Sequence, residues 1–149
     1  MDRKDIDALI IENARLKQEL NKAQDDLKLA QSEIRSLKAT NTRAEYWSQR
    51  TSEEVLKSDR SLKFHTGIVS VALFNTLLRF ILSVWTPALQ MRPADQLIMV
   101  LMKLRRGLLN EDLACRFGIS PATVSRVFHA WLDVLNANFA KMLLWQTWT

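Results

Sequence analysis

The chain has 149 residues, of which 48% are hydrophobic, so it is long enough for one domain of ordinary size and an additional segment. With three Gly and three Pro, it has too few turn-forming residues for a typical β fold, and an all-α fold is favoured. The single cysteine, Cys115, excludes an internal disulfide and a zinc site built on several thiolates. This cysteine usage is typical of a reducing, intracellular compartment.

The net charge of +5 comes entirely from one part of the chain. Residues 1–60 contain 12 Lys/Arg and 12 Asp/Glu, whereas residues 61–149 contain 9 Lys/Arg and 4 Asp/Glu. A basic folded part suggests a polyanionic partner such as nucleic acid. A charge of this size is also common in domains that bind no polyanion, so charge alone does not decide between the two readings.

An unbroken heptad repeat runs through residues 1–45, with no Gly or Pro inside it. Position a is occupied by Ile6, Asn13, Leu20, Leu27, Ile34 and Asn41. Position d is occupied by Leu9, Leu16, Ala23, Ala30, Leu37 and Ala44. A period of 3.5 residues over this length predicts a left-handed coiled coil.

The flanking residues favour a parallel pair of identical helices. Glu12 at position g faces Lys17 at position e of a parallel partner, and Glu33 faces Lys38 in the same way. Asn13 can hydrogen-bond across a two-stranded seam at position a, as can Asn41, and Asn at this position fixes the register. We therefore expect a homodimer formed through the coiled coil.

Beyond the repeat, the sequence predicts a polar linker at 46–61, in which the helix frays, and a helical domain at 62–149. The apolar run at 62–86 has one apolar helical stripe, formed by Phe74, Leu77, Leu78, Ile81, Leu82 and Trp85. A membrane anchor is an alternative reading of this run. It would bury Arg79 in hydrocarbon at a cost of ~2.5–3.5 kcal/mol, so a packed amphipathic helix is favoured and no membrane partner is expected. Pro87 and Pro93 bracket a short connection.

Three further helices are predicted at 94–106, 111–117 and 120–135. In the first, Leu97, Leu101 and Leu104 are expected to point inward. The second is expected to have Asn110 as its N-cap, and the third to have Ser120 as its N-cap with Pro121 in the first helical position.

The joint between the last two helices has the requirements of a helix-turn-helix at 110–135. A small residue, Ala114, stands where the helices touch, and Gly118 stands where a tight turn needs positive φ. The expected apolar anchors are Leu113, Phe117, Ile119, Val124, Val127, Phe128 and Trp131.

If those anchors point inward, the opposite face of the third helix is free to enter a DNA groove. The candidate DNA-binding residues on this helix are Ser120, Ala122, Thr123, Ser125, Arg126 and His129. Lys103, Arg105, Arg106 and Arg116 are candidate phosphate contacts. Arg126 could bind guanine bidentately, touch a phosphate, or be an ordinary surface charge.

Catalytic and metal chemistry are not indicated. The two histidines, His65 and His129, and Cys115 have no metal-ligand spacing. Residues 61–149 contain only four carboxylates, at Asp95, Glu111, Asp112 and Asp133, and no glycine-rich phosphate loop. We expect no enzyme activity, no cofactor and no metal.

The run KFHTGIVSVALFNTLLRFI at 63–81, followed by DQLIMVLMKLRRGLLNEDLACRFGISPATVSRVFHAWLDVL at 95–135, resembles the transposase helix-turn-helix domain of PIF/Harbinger-like DDE transposases and their THAP-domain relatives. The resemblance implies binding to transposon-end DNA in the nucleus. No THAP-type Cys/His set precedes the coiled coil, and the sequence ends where the nuclease of such proteins would begin. The expectation is a DNA-binding fragment or subunit without catalysis, with any DDE nuclease separate or missing. The alternative is a coiled-coil interaction protein whose helix-turn-helix packs against protein.

Overall fold

The computed structural model describes residues 2–88 and 91–146, apart from the side chains of residues 141–146. The described residues form helices and connections with no strand, which confirms the all-α fold. The six helices are α1 (Arg3–Leu56), α2 (Asp59–Thr66), α3 (Val71–Val84), α4 (Pro93–Arg106), α5 (Asn110–Phe117) and α6 (Pro121–Gln146). Two parts of the expected 62–149 domain, residues 89–90 and 147–149, lie outside the described residues.

The chain divides into two compact units, Met1–Asn41 and Thr42–Thr149. In the first unit, every described side chain is exposed to solvent in the single chain. This includes the seven Leu and Ile residues of the heptad seam, which are 43–63% exposed. The long helix therefore fits a coiled-coil arm, because its apolar stripe has no cover within the chain.

The segment expected to fray into a polar linker is instead helical as far as Leu56. Its inward residues are Ser48, Ser52 and Val55, which are buried at the helical spacing of four and three. Serine at two of these three positions gave the segment a polar appearance. Tertiary packing and hydrogen bonds to the serine hydroxyls keep this part of α1 helical, which hydrophobic periodicity did not indicate.

The apolar run at 62–86 contains parts of two helices and a break. Gly67 ends α2 in the left-handed conformation, with φ of +81°. Ser70 begins α3, since its hydroxyl accepts a hydrogen bond from the backbone N–H of Leu73 at 3.1 Å. The expected stripe on α3 is mostly confirmed. Phe74 and Ile81 are buried, while Leu82 is 37% exposed.

Among the described residues, no single helix is long and apolar enough to cross a membrane. Helices Asp59–Thr66 and Val71–Val84 have the necessary length and composition only when taken together, and they are bent by 57° at the break between them.

Helix α4 is central to the second unit and packs against α2, α3, α5 and α6. Six consecutive residues, 95–100, are buried, as expected for a helix covered on all sides. The inward assignment was correct for Leu97, and Leu101 packs partly against the core. It was wrong for Leu104, which is 51% exposed, because the last turn of α4 packs through Lys103 on Phe128 and through Arg106 on Phe64, and Leu104 faces solvent.

Two buried polar residues of α4 connect it to other helices. Asp95, 1% exposed, accepts a hydrogen bond from the Ser52 hydroxyl of α1 and two hydrogen bonds at 2.8 Å from the Arg92 guanidinium. Gln96 accepts a hydrogen bond at 2.8 Å from the indole N–H of Trp131 on α6. Removing the hydrogen-bond partners of Asp95 or of Gln96 would leave a buried polar group unsatisfied, which lowers the free energy of unfolding by about 1–3 kcal/mol.

The glycines at the ends of α4 and α5 allow a controlled test of packing. Gly107 and Gly118 have similar positive φ values of +62° and +66°, so alanine is strained by a similar amount at both positions. A Cβ atom at Gly107 would meet nothing within 4 Å, whereas one at Gly118 would lie 3.0 Å from the Trp47 Cβ and 3.1 Å from the Ala44 Cα. Gly118→Ala therefore adds a steric cost that Gly107→Ala lacks.

We expect Gly107→Ala to lower the free energy of unfolding by ~1–2 kcal/mol. Gly118→Ala should lower it by a further ~1–3 kcal/mol, the usual cost of overpacking. Chemical denaturation of both full-length variants at one protein concentration measures the difference. Equal losses in the two variants would contradict the packing of α1 against the turn.

Candidate nucleic-acid interface

The helix-turn-helix consists of α5, a turn at 118–120, and α6. Gly118 adopts the left-handed conformation, and the backbone N–H of Ile119 donates to the Ala114 carbonyl at 3.1 Å. The predicted anchors are confirmed. Leu113, Phe117, Val124, Val127 and Trp131 are buried, and Ile119 and Phe128 pack partly against the same core. Ala114 is 5% exposed where α5 meets α6.

The turn is also held by a helix that the motif did not indicate. Ser48 of α1 donates its hydroxyl to the Phe117 carbonyl at 3.3 Å, and Thr51 donates its hydroxyl to the Arg116 carbonyl at 2.5 Å. These carbonyls belong to the last turn of α5, where the helix itself supplies no partner. The end of α1 therefore caps α5 through side chains, while Trp47 lies against Gly118.

The expected N-cap of α5 was wrong by one position. Helix α5 begins at Asn110, and Leu109 is the preceding residue, with no capping side chain. The Asn110 side-chain oxygen is buried and has no hydrogen-bond partner among the described residues. The acidic residues in the first turn, Glu111 and Asp112, still match the positive end of the helix dipole.

The start of α6 is as predicted. Pro121 is its first residue, and the Ser120 hydroxyl accepts a hydrogen bond from the Thr123 N–H at 3.1 Å. The Ser120 and Thr123 hydroxyl oxygens are 2.9 Å apart, and the Arg126 guanidinium donates to the Thr123 hydroxyl at 3.2 Å. Three of the candidate DNA-binding residues thus form one chain of contacts along the first turns of α6.

The outer face of α6 is open to solvent. Ala122, Arg126 and His129 are exposed, while Thr123 and Ser125 lie half-buried at its flanks. His129 Nδ1 is 2.7 Å from the Ser125 carbonyl oxygen. Because a carbonyl only accepts, Nδ1 donates this hydrogen bond, and Nε2 is the ring nitrogen left for another partner. Helix α6 continues to Gln146, past the expected end at 135, since no Gly or Pro interrupts it.

The four candidate phosphate contacts are not equivalent. Lys103 is half-buried, donates to the Leu108 carbonyl at 3.1 Å, and lies 5.4 Å from the centre of the Phe128 ring. Its ammonium group therefore already stabilises the connection after α4. Arg105 is exposed beside Gly67, and Arg106 is exposed over the Phe64 ring at 5.1 Å, so both face α2. Arg116 is half-buried and forms an ion pair with Asp112 at 3.2 Å.

Two carboxylates of the helix-turn-helix segment and α4 have structural partners. Asp95 is buried against Arg92 and Ser52, and Asp112 is paired with Arg116. The part of the chain that the structure describes contains no group of three or more His, Cys, Asp or Glu residues that could hold a metal ion.

One comparison with known proteins gives a match. The family model described as "Helix-turn-helix of DDE superfamily endonuclease" matches residues 90–141, which include α4, α5 and most of α6. No curated protein and no solved structure matches the chain. The matched segment is therefore similar to a DNA-binding helix-turn-helix, and it contains all the candidate DNA-binding residues.

Metal-dependent cleavage should be absent from this chain. Purified protein with Mg²⁺ or Mn²⁺ should neither cut nor join DNA ends, because a two-metal site needs carboxylates free to converge and Asp95 and Asp112 are held by arginines. Incubation of labelled duplex DNA with each ion measures this. Strand cleavage that disappears in Asp112→Asn would contradict the expectation.

Proposed function

We propose that the chain binds double-stranded DNA, sequence-specifically or semi-specifically, through a transposase-derived helix-turn-helix, and that the coiled coil joins two copies. The observation that carries the proposal is the solvent-exposed outer face of α6 opposite a fully buried stripe, within the segment that matches the DDE helix-turn-helix family. The chain itself acts without catalysis, cofactor or metal. The proposal includes action in the nucleus, with any DDE nuclease separate or missing.

The finer assignment within this class rests on the residues that resemble PIF/Harbinger-like transposases and their THAP-domain relatives. Those residues extend beyond the matched segment to parts of α2 and α3. Transposon-end DNA is accordingly the target that we propose.

The charges beside the seam support a parallel homodimer. Position g is acidic in five successive heptads, namely Asp5, Glu12, Glu19, Asp26 and Glu33. An antiparallel pair would place these acidic rows opposite each other, and like charges there are destabilising. A parallel pair places each g residue opposite the next e residue, where Ile10, Lys17, Gln24, Gln31 and Lys38 stand. None of these five e residues is acidic.

The dimer is tested by two matched substitutions in the full chain. Leu27 at position a and Leu29 at position c are both exposed in the single chain, at 57% and 71%. Leu27→Asp puts two charges into the seam and should make the protein monomeric at about tens of micromolar. Leu29→Asp should leave the dimer intact. Sedimentation equilibrium measures the mass of each variant, and an unchanged dimer in Leu27→Asp would refute pairing through this seam.

The role of Arg126 is tested by DNA affinity. If Arg126 binds guanine, Arg126→Ala should cost ~1–3 kcal/mol and relax the preference at one base position. If it binds phosphate, affinity should fall evenly across sequences and the salt slope should drop by about one. The fold should survive, because the side chain is exposed.

Arg79→Ala is the matched control, since Arg79 is exposed on α3, outside the matched segment. It should bind DNA like the parent, and circular dichroism should give the same helix content for all three proteins. Unchanged affinity in Arg126→Ala, on DNA that the parent binds, would remove α6 from the groove and favour the protein-interaction alternative.

A further inference from the structure

A shallow pocket lies where the end of α1 meets α2, α4 and α5. Its volume is about 360 Å³. The residues that line it are Trp47, Arg50, Thr51, Glu54, Val55, His65, Met102, Cys115 and Arg116. Arg116 is the one candidate DNA-binding residue among them, so most of this surface lies outside the interface on α6.

The pocket is surrounded by more cationic than anionic groups. Arg50 is exposed, lies over the Trp47 ring at 5.6 Å, and donates a hydrogen bond to the Tyr46 hydroxyl at 3.3 Å. It interacts electrostatically with Glu54. Arg116 enters the pocket from α5. The one lining carboxylate, Glu54, is paired with Lys57 at 2.6 Å. The guanidinium groups are therefore only partly compensated within the chain.

His65 interacts with two arginines, Arg106 and Arg116. Its Nδ1 is 3.4 Å from Nη1 of Arg106, which has no acceptor capacity. Nδ1 therefore accepts, and the neutral ring carries its proton on Nε2. Burial, Arg106 and Arg116 hold the pKa of His65 below its ordinary value of 6.5, with Lys57 acting in the same direction and Glu54 in the opposite one. Because Arg106 and Arg116 both act on the His65 ring, this surface has a positive potential that favours an anion.

We propose that this pocket binds a backbone phosphate of the DNA, with Arg50, His65 and Arg116 as the contacting residues. The inference rests on the proposed function. A guanidinium group matches the geometry of a phosphate, and the open, shallow form of the pocket suits a phosphodiester on a continuous backbone. The DNA backbone is the favoured source because Arg116 and Cys115 belong to α5, and the first helix of a helix-turn-helix crosses the DNA backbone beside the groove that the second helix enters.

A bound phosphate makes DNA affinity depend on pH. A negative charge beside His65 raises its pKa in the complex above its pKa in the free protein, so the complex takes up a proton between these two values. Affinity should then rise as the pH falls through the pKa of the complex and level off below the pKa of the free protein. The other charged groups facing the ring are Glu54 of α1, Lys57 in the connection after α1, Arg106 of α4 and Arg116 of α5.

The test compares the full-length parent with Arg50→Gln, His65→Gln and the control Arg79→Gln. Binding to one duplex is measured between 50 and 200 mM salt and between pH 5.5 and 8. Arg50→Gln should lower the salt slope by about one, so a fourfold rise in salt weakens its binding about threefold less than it weakens that of the parent. His65→Gln should remove the rise in affinity at low pH. Arg79→Gln should behave like the parent, and circular dichroism checks the fold of each protein.

A second measurement separates the DNA backbone from free phosphate. The pKa of His65 is followed by NMR with and without inorganic phosphate, and it should rise in phosphate. If it rises but the DNA salt slopes and pH profiles of all variants equal those of the parent, the pocket holds only a free anion and the proposal is overturned. If the pKa of His65 does not rise in phosphate and the variants bind DNA like the parent, the pocket is not a phosphate site. A parent that binds no duplex DNA would overturn the proposed function, whereas a parent that binds while Arg50→Gln and His65→Gln have no effect would overturn this inference alone.

Discussion

The close approach of α1 to the turn between α5 and α6 is the contact on which the helix-turn-helix depends. Gly118 has no side chain, so Trp47 and Ala44 can lie against the turn. The hydroxyls of Ser48 and Thr51 satisfy the carbonyls that end α5. A helix of eight residues has little stability of its own, and this cover from α1 supplies the partners that α5 lacks. The end of α1 therefore holds the helix-turn-helix together.

The sequence predicted the parts of the fold that depend on local rules. The joint at 110–135 could be read because its requirements lie close together: a small residue, a glycine and apolar anchors in fixed positions. The contribution of α1 could not be predicted from the sequence. Ser48 and Thr51 stabilise the turn only through hydrogen bonds to carbonyls that lie 69 and 65 residues further along the chain. Leu104 and Asn110 were misassigned for a related reason. Helix periodicity gives a face, but it does not say where a neighbouring helix ends or which residue begins the next one.

Of the candidate site, too, only one part could be predicted from the sequence. The exposed residues of α6 followed from geometry, because a buried stripe on a helix fixes the opposite face. The pocket beside Arg50 and His65 had no signal in the sequence, since it combines residues from four helices. The composition gave the net positive charge of the second unit, but it did not show where the individual cationic side chains lie. Lys103 bonds to a backbone carbonyl, Arg106 lies over an aromatic ring, and Arg116 is paired with a carboxylate. Because these partners differ in kind, the three cations are not equally available to a phosphate.

The proposed interface requires α6 to enter the major groove of double-stranded DNA. The most direct measurement is methylation interference on duplexes selected by the full-length protein from a random-sequence pool. Methylation of guanine N7 blocks a contact in the major groove, whereas methylation of adenine N3 blocks one in the minor groove. We expect a selected sequence with guanine N7 positions that prevent binding, in two clusters if both copies of the dimer engage the same duplex. Selection of no sequence together with interference by neither modification would contradict the account.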